Sequence, residues 1–353
     1  MNENTRVAHW NELVEAFRSF GGTANNVIQK EGKFGLGLFP IDSSKPVELR
    51  VPNYLLVSTD NLKLLNGNIV LKDASGYPEG FAEWYEKFQT NYSWGADGKR
   101  SIKLFEDGLK SLPNALQQKL QNLNLLNIKH RYPGIDIEQE LFERFICTRQ
   151  INLNDNKFLM PMIELVNHSP SQSSWTIDSD SIAVQGQYED EILVRYSVSD
   201  PIRRLLQYGF NCKEPTGFSL SFKLFHNEQK IFVEGGLNNK HFDPPEISIK
   251  NKVFEIRRPL LGAFKNPRIP KTIFRESCKK ISSIKSDELF DQIHQKNILS
   301  LIDIIKELGL VEGNVAKQLR EACIDQIEIL SEHFGSIEIE QKTMLLRRPQ
   351  LDH

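Results

Sequence analysis

The sequence contains few cysteines, and their spacing excludes the common cysteine-based sites. Cys147, Cys212, Cys278 and Cys323 are far apart, with no CxxC pair to hold zinc and no regular spacing for a disulfide framework. None of them lies in a motif that would activate a nucleophile. We therefore expect reduced thiols, most of them buried, and no bound metal.

Long apolar runs and an excess of one charge are also missing. No stretch approaches the roughly 20 apolar residues of a membrane-spanning helix, and the N-terminus lacks the basic-then-apolar layout of a secretory leader. The formal net charge of -2 argues against nucleic acid as the main ligand. We expect a cytoplasmic or nuclear protein that binds neither a membrane nor nucleic acid.

The composition is that of an ordinary globular protein, with 39% hydrophobic and 25% charged residues. A length of 353 residues exceeds the usual size of one core and predicts two packed domains. The sequence contains no internal repeat and no low-complexity tract, so a solenoid is not expected.

Apolar periodicity predicts helices and strands in alternating blocks. Trp10, Leu13, Val14 and Phe17 recur at helical spacing and stop before a glycine pair, which predicts an N-terminal helix. The runs FGLGLFPI and VELRVPNYLLVS predict strands, and a helical insertion follows from about residue 80 to 147. Strands resume in KFLMPMIELV, SIAVQGQY and EILVRYSV.

The last third of the chain predicts a hairpin and then helices. A hairpin joins GFSLSFKLF to KIFVEGG, and a domain covering residues 1–235 is expected to end there. A mostly helical domain, residues 236–353, then contains two amphipathic helices, from about Ser286 to Leu308 and from Asn314 to Phe334. Gly309 and Gly335 are their expected caps.

Three segments carry candidate chemistry, and the first is the glycine-rich GKFGLGLF. Gly32, Gly35 and Gly37 allow backbone to approach a ligand closely. The segment fails the dinucleotide-binding fingerprint, which needs a helix after the glycines and a third glycine three residues further on. Taken alone, such a segment more often reflects the geometry of a hairpin.

The second segment is MPMIELVNHSP, where an apolar run ends in Asn167 and His168. One interpretation is a turn in which these side chains satisfy local backbone groups. A Ser-His-Asp hydrolase would need a G-x-S-x-G motif, which the chain lacks, and His168 has no partners at metal-ligand spacing. The third segment contains Tyr196 and Tyr208, which could wall a narrow channel or simply pack in a core.

In this order, the three segments resemble the SET-domain protein methyltransferases. The resemblance runs from about Trp10 to Phe210 and includes GLGLF, RVPNYLLVS, SLP, TRQ and MPMIELVNHSP. It is strongest to the branch containing the Rubisco large-subunit lysine methyltransferase and the actin-histidine methyltransferase. It implies an α+β fold, in which a SET β core with a helical insertion precedes a helical, substrate-binding-like C-terminal domain.

The resemblance also implies S-adenosyl-L-methionine as cofactor and a protein as substrate. The implied cofactor-binding residues are Phe34, Gly35, Leu36, Arg149, Glu164, Asn167 and His168. The Asn-His pair would hold the adenine and amino-acid parts. Tyr196 corresponds to the catalytic tyrosine, and Tyr208 to a second aromatic residue beside the target nitrogen. We expect a monomer that methylates a lysine ε-amine of a non-histone protein.

Two departures from the family pattern leave alternatives open. Phe34 stands where close relatives have an acidic residue, and Asp200-Pro201 replaces an Asn-containing turn. One alternative is a catalytically silent SET-like module that binds a protein. Another is a histidine methyltransferase, because Ser197, Ser199 and Asp200 offer hydrogen-bond partners to an imidazole.

Overall fold

A computed structural model describes residues 3–126, 136–251, 253–279 and 285–332. The chain forms two compact units, each with its own hydrophobic core. The first unit falls within Met1–Leu104 and Tyr132–Tyr196, and the second within Phe105–Arg131 and Ser197–His353. The mixture of helices and strands agrees with the predicted α+β class.

The helices of the described residues follow one another along both units. They are α1 (Glu3–Ser19), α2 (Phe81–Tyr92), α3 (Lys99–Lys110), α4 (Asn114–Asn122), α5 (Ile137–Arg149), α6 (Pro201–Tyr208), α7 (Ile269–Cys278), α8 (Ser286–Leu308) and α9 (Asn314–Ser331). Among these helices, none is both long enough and apolar enough to cross a membrane.

The strands are short, and the sheets that they form among the described residues contain two to four strands. In the first unit they are β1 (Thr23–Asn25), β2 (Val27–Gly32), β3 (Gly35–Pro40), β4 (Val47–Pro52), β5 (Val57–Ser58), β6 (Leu62–Leu65), β7 (Asn68–Leu71), β8 (Ile151–Leu153), β9 (Asn156–Leu159), β10 (Asn167–His168), β11 (Thr176–Ile177), β12 (Ser181–Gly186) and β13 (Leu193–Val194). In the second unit they are β14 (Thr216–Phe218), β15 (Phe222–His226), β16 (Gln229–Glu234), β17 (Glu246–Lys250), β18 (Val253–Arg257) and β19 (Leu260–Ala263).

The N-terminal helix predicted from apolar spacing is confirmed as α1. Its four periodic residues are all buried in the first core. Trp10 also donates its indole N–H to the carbonyl oxygen of Val27 at 2.9 Å, which ties the helix to β2. The ring of Phe17 stacks on Trp84 of α2 with centroids 5.3 Å apart. Aromatic contacts therefore join α1 to the insertion helix that follows the first strands.

The sheets of the first unit place the ends of distant strands side by side. Strands β1, β4, β12 and β11 form one antiparallel sheet, and β2 pairs with β3 in a hairpin. Strands β10 and β13 pair in parallel over two residues only, with Asn167 opposite Leu193 and His168 opposite Val194. This short pair brings the Asn-His segment next to the strand that leads to Tyr196.

The predicted strand KFLMPMIELV is interrupted in the structure. Strand β9 ends at Leu159, and a 3-10 turn over Ile163–Leu165 precedes β10. Met162 between them has φ 69 and ψ -49, and Ile163 N–H donates to the carbonyl oxygen of Pro161 at 2.9 Å. These are the features of a γ-turn, a rare and strained conformation. Apolar composition alone predicted a continuous strand because a γ-turn has no apolar signature.

The predicted helical insertion is divided between the two units. Helices α2 and α5 contribute Phe81, Phe88 and Phe145 to the first core, whereas Leu116 and Leu120 of α4 lie in the second. The second core lies within residues 105–131 and 197–353, so the insertion does not belong to a single unit. Periodicity shows that a helix has an apolar face, but it does not show which core that face meets.

The second unit confirms the predicted hairpin. Strands β15 and β16 pair antiparallel with His226 opposite Gln229, so Asn227 and Glu228 form a two-residue turn with φ 47 and φ 65. Positive φ at both positions is typical of a type I′ turn. The sheet order is β15-β16-β18-β17, and β14 pairs separately with β19.

The C-terminal helices begin where the sequence predicted. Helices α8 and α9 start at Ser286 and Asn314, and Gly309 follows the end of α8. The predicted end at Phe334 and the cap at Gly335 lie outside the described residues. Cys278 and Cys323 are buried as free thiols, Cys212 is partly buried, and Cys147 is exposed. The expectation that most of the thiols are buried was therefore only half right.

Candidate functional site

The glycine segment forms the β2–β3 hairpin. Gly32 pairs with Gly35, which leaves Lys33 and Phe34 as its two-residue turn, and the side chain of Phe34 is 48% exposed. Gly35 has φ +88, a left-handed conformation that favours glycine, and a Cβ there would meet nothing within 4 Å. The hairpin interpretation of Gly35 is thus confirmed, and space for a ligand remains beside it.

Gly37 is required for a different reason, namely close packing. A Cβ at this position would lie 2.2 Å from Oε1 of Glu191 and 2.6 Å from Nδ2 of Asn167. Real Cβ atoms do not approach other atoms so closely, so a larger residue would displace one of the two side chains. The glycine in the middle of β3 therefore allows the Asn167 side chain to reach the hairpin.

Hydrogen bonds join the Asn-His segment to both the hairpin and Tyr196. Asn167 Nδ2 donates to the carbonyl oxygen of Leu36 at 3.2 Å. Tyr196 N–H donates to Nδ1 of His168 at 3.1 Å, and the Tyr196 hydroxyl donates to the carbonyl oxygen of Val166 at 2.5 Å. Because a backbone N–H can only donate, Nδ1 of His168 has no proton, and the proton of the neutral imidazole is on Nε2.

Glu164 lies at the centre of a buried polar network with helix α2. Its Oε1 accepts hydrogen bonds from Gln89 Nε2 at 2.8 Å and from the Ser93 hydroxyl at 2.6 Å. Gln89 Nε2 also donates to the Tyr85 hydroxyl at 3.1 Å. Burial raises the pKa of Glu164, and the two hydrogen bonds and nearby Arg149 only partly oppose this shift.

Arg149 ends helix α5 beside this network. Burial lowers its pKa, and the nearby carboxyl of Glu164 and the phenol of Tyr196 oppose that shift. Its guanidinium lies over the ring of Phe145 at 4.1 Å, and Nη1 donates to the Thr148 hydroxyl at 2.9 Å. The guanidinium is thus held by an aromatic face and a neutral hydroxyl, with the carboxyl of Glu164 nearby.

Three buried atoms of this network find no hydrogen-bond partner among the described residues. They are Nε of Arg149, Oε2 of Glu164 and Oε1 of Gln89. The first is a donor and the other two are acceptors when Glu164 is ionised. Buried polar groups are nearly always paired, so a ligand or ordered water with both kinds of group suits this position.

Tyr208 belongs to the second unit, where it is the last residue of α6. Its ring lies under the guanidinium of Arg204, at 4.8 Å. Arg204 is fully buried, donates to Glu214 at 2.6 Å, and donates to the carbonyl oxygen of Ser197 at 2.8 Å. Asp200 caps the start of the same helix by accepting from Arg203 N–H at 2.8 Å. Buried charges thus hold the helix that carries Tyr208.

The structure brings Leu36, Arg149, Glu164, Asn167, His168 and Tyr196 together in one unit. It adds Gln89 and Glu191, which the sequence analysis did not identify. A signal for Gln89 exists, since it follows Tyr85 by one helical turn on an aromatic-rich face. Glu191 is the last acid of the run EDE before an apolar strand, where a solvated charge is the ordinary expectation.

Comparison with known proteins yields distant structural similarity only. No family model matches the chain, and no curated protein matches it. Among solved structures it is similar to the SET domain of LSMT bound to lysine and AdoHcy, at 13% identity and a TM-score of 0.38, over 97% of this chain and 93% of that chain. Rubisco LSMT bound to AdoMet gives the same identity and TM-score over 96% and 93%. A similarity this distant carries no functional argument.

The raised pKa of Glu164 predicts a pH-dependent stability difference between the wild type and Glu164→Gln. Below the ordinary value of about 4.5 both side chains are neutral. As pH rises above that value, the carboxyl of Glu164 loses its proton in the unfolded state before it does so in the folded state. The free energy of unfolding of the wild type therefore falls relative to that of the variant until the pH exceeds the raised pKa of the folded state. Urea unfolding between pH 4 and pH 8 measures the difference.

The control is Glu31→Gln, which removes the same charge from an exposed position on β2. Its difference from the wild type should change much less with pH. A pH-independent difference for Glu164→Gln would show that the carboxyl of Glu164 titrates normally.

Proposed function

We propose that the chain is an S-adenosyl-L-methionine-dependent protein N-methyltransferase of the SET type. One observation carries the proposal: the glycine hairpin, the Asn-His pair and Tyr196 are joined by direct hydrogen bonds. These segments lie up to 160 residues apart, from residue 36 to residue 196, and their order along the chain resembles the SET family. Side chains gathered from distant segments are typical of a ligand site.

The buried network fits the amino-acid end of this cofactor. A methionine moiety carries an ammonium and a carboxylate. Glu164 and Gln89 offer acceptors, and Arg149 offers a donor, that have no hydrogen-bond partner among the described residues. Arg149 would bind the carboxylate, and Glu164 would face the ammonium. Glu164 thereby supplies the acidic group that the family has at the position of Phe34.

The remaining residues suit the other parts of the cofactor. Asn167 and His168 would hold the adenine and the start of the amino-acid chain, and the open side of Gly35 would admit the cofactor beside β3. The bound cofactor supplies an electrophilic methyl group on a cationic sulfur. The chain's own task is to align a nitrogen lone pair with that methyl group and to exclude water.

Tyr196 is the proposed catalytic residue. Its hydroxyl donates its only hydrogen to the carbonyl oxygen of Val166, so toward a methyl group the same oxygen can act only as an acceptor. A polarised methyl group makes weak C–H···O contacts with such an oxygen. The centroid of the Tyr196 ring lies 5.0 Å from that of His168 and 6.2 Å from that of Trp175. These ring contacts fix the direction of the hydroxyl. The role of Tyr208 beside the target nitrogen stays a prediction from the resemblance.

The proposed target is a lysine ε-amine of a partner protein. Lysine must lose a proton before it can attack, and an apolar wall beside a cationic sulfonium favours its neutral form. The aromatic surroundings of Tyr196 supply such a wall. We further propose that the protein acts as a monomer on a non-histone substrate.

Cofactor binding is the first test. We expect isothermal titration calorimetry to detect binding of S-adenosyl-L-methionine and its demethylated product, and Asn167→Ala to weaken both by roughly 10-fold, the effect of about one lost hydrogen bond. Asn156→Ala, at an exposed position on β9 of the same unit, should bind as the wild type does. Absence of binding to the wild type would favour the silent protein-binding module.

The catalytic assignment is tested with Tyr196→Phe, which removes one hydroxyl and keeps the ring. Single-turnover methyl transfer should fall by roughly 100-fold while cofactor affinity changes by less than about 2-fold. Tyr54→Phe is a matched control, because Tyr54 also donates its hydroxyl to a backbone carbonyl, that of Phe20 at 3.0 Å. Equal rates in wild type and Tyr196→Phe would move the catalytic role to another residue.

The target atom is tested by the pH dependence of the rate. A lysine reaction should keep accelerating well above neutral pH, because the unperturbed amine has a pKa of about 10.4, whereas a histidine reaction should level off near pH 7. Mass spectrometry first identifies a protein that the enzyme methylates. Initial rates with the unmethylated form of that protein then supply the profile. Methylhistidine in the digested product would contradict the lysine assignment.

A further inference from the structure

The amide of Asn167 uses both of its hydrogens inside the protein. Nδ2 donates to the carbonyl oxygen of Leu36 at 3.2 Å and to Oε1 of Glu191 at 2.6 Å. An amide NH2 has two hydrogens and therefore has none left for a ligand. The group of Asn167 that remains for a ligand is the carbonyl oxygen Oδ1.

The opposite orientation of this amide is chemically excluded. Turning the group over would place Oδ1 against the carbonyl oxygen of Leu36, which can only accept. It would also place Oδ1 against Oε1 of Glu191, which repels it whenever that carboxyl is ionised. Two oxygens without a hydrogen between them repel each other and lose a buried hydrogen bond. The hydrogen-bond partners around the amide therefore decide that its oxygen, and not its nitrogen, faces outward.

Glu191 is held firmly enough to impose this orientation. Its side chain is buried, and the next residue, Ile192, donates its N–H to the carbonyl oxygen of Leu38 at 2.8 Å, which anchors this stretch to β3. A Cβ on Gly32 would lie 3.1 Å from Oε2 of Glu191, and a Cβ on Gly37 would lie 2.2 Å from its Oε1. The carboxylate thus occupies the space that these two glycines leave open.

We propose that Glu191 is a positioning residue that fixes Asn167 as a hydrogen-bond acceptor, so that the site selects a ligand carrying an N–H donor. This inference rests on the proposed function for the identity of the ligand. In S-adenosyl-L-methionine the donor is either the ammonium of the methionine part or the 6-amino group of adenine. Both present an N–H donor to Oδ1, and the choice between them is decided by the experiment.

The first arm of the experiment needs no ligand. The side-chain NH2 of Asn167, assigned by its loss in Asn167→Ala, should exchange hydrogen slowly in the unliganded wild type. Removal of the acceptor in Glu191→Leu should speed this exchange by roughly 5- to 10-fold, since one hydrogen bond is lost. Asp190→Asn is the control, because it changes a neighbouring charge at an exposed position. Unchanged exchange in Glu191→Leu overturns the proposal.

The second arm measures selectivity with S-adenosyl-L-homocysteine and two analogues. One analogue lacks the α-amino group, and the other has oxygen in place of the adenine amino group. The wild type should bind the analogue that lacks the donor at least about 10-fold more weakly than the parent, and Glu191→Leu should lose that preference. The donor to Asn167 is the group whose removal weakens binding to the wild type but not to Glu191→Leu, because a contact with Glu164 is present in both proteins. Glu191→Gln keeps an acceptor oxygen beside Asn167 and should therefore retain the preference of the wild type. If Glu191→Leu weakens all three ligands equally, Glu191 is only structural and the proposal fails.

A second variant keeps the test decisive if Glu191→Leu does not fold. Gly37→Ala removes neither partner, but its methyl group would displace Glu191 or Asn167, so it should lose the same preference. Gly76→Ala is its control, since a Cβ there meets nothing within 4 Å. If the wild type binds none of the three compounds, the proposed function fails, while the exchange arm still decides whether Glu191 positions Asn167.

Discussion

Three backbone segments meet at residues 166–168, and the geometry of the candidate site depends on the bonds made there. The parallel pairing of β10 with β13 covers only two residues, too few for stable pairing on its own. Side chains complete it: Asn167 bonds to β3, and Tyr196 bonds both to the imidazole of His168 and to the carbonyl of Val166. Asn167, His168 and Tyr196 are thereby each held in position by a backbone group of a neighbouring segment.

A strained turn and a buried polar network precede this junction along the chain. The γ-turn at Met162 follows the end of β9 at Leu159, and Glu164 two residues later bonds to Gln89 of α2. Strain of this kind persists only where surrounding contacts compensate for it, and Met162 itself is fully buried. The resulting polar cluster of Glu164, Gln89 and Arg149 is buried yet incompletely paired among the described residues. Such a cluster costs stability, which is typical of a site built for a ligand.

The second unit uses buried charge for a structural purpose. Arg204 and Glu214 form an ion pair whose side chains are both inaccessible to solvent, and Arg203 pairs with the buried Asp200. Such pairs contribute little net stability, but they specify one arrangement because any other leaves a charge unpaired. Here they orient α6 and the ring of Tyr208. The segment that follows Tyr196 thus has a well-defined local structure.

The sequence by itself determined the helices with strong apolar periodicity, the hairpin turns, and the polar segments that contain Asn167, His168 and Tyr196. These features depend on the spacing of apolar residues and on turn chemistry, both of which involve residues close together in the sequence. The tertiary structure alone decided that the helical insertion is shared between two cores, that the strand before Glu164 breaks at Met162, and that Gln89 and Glu191 face the site. Each of these depends on which distant side chain fills a given space, and a buried acid such as Glu191 has the same local sequence as a solvated one.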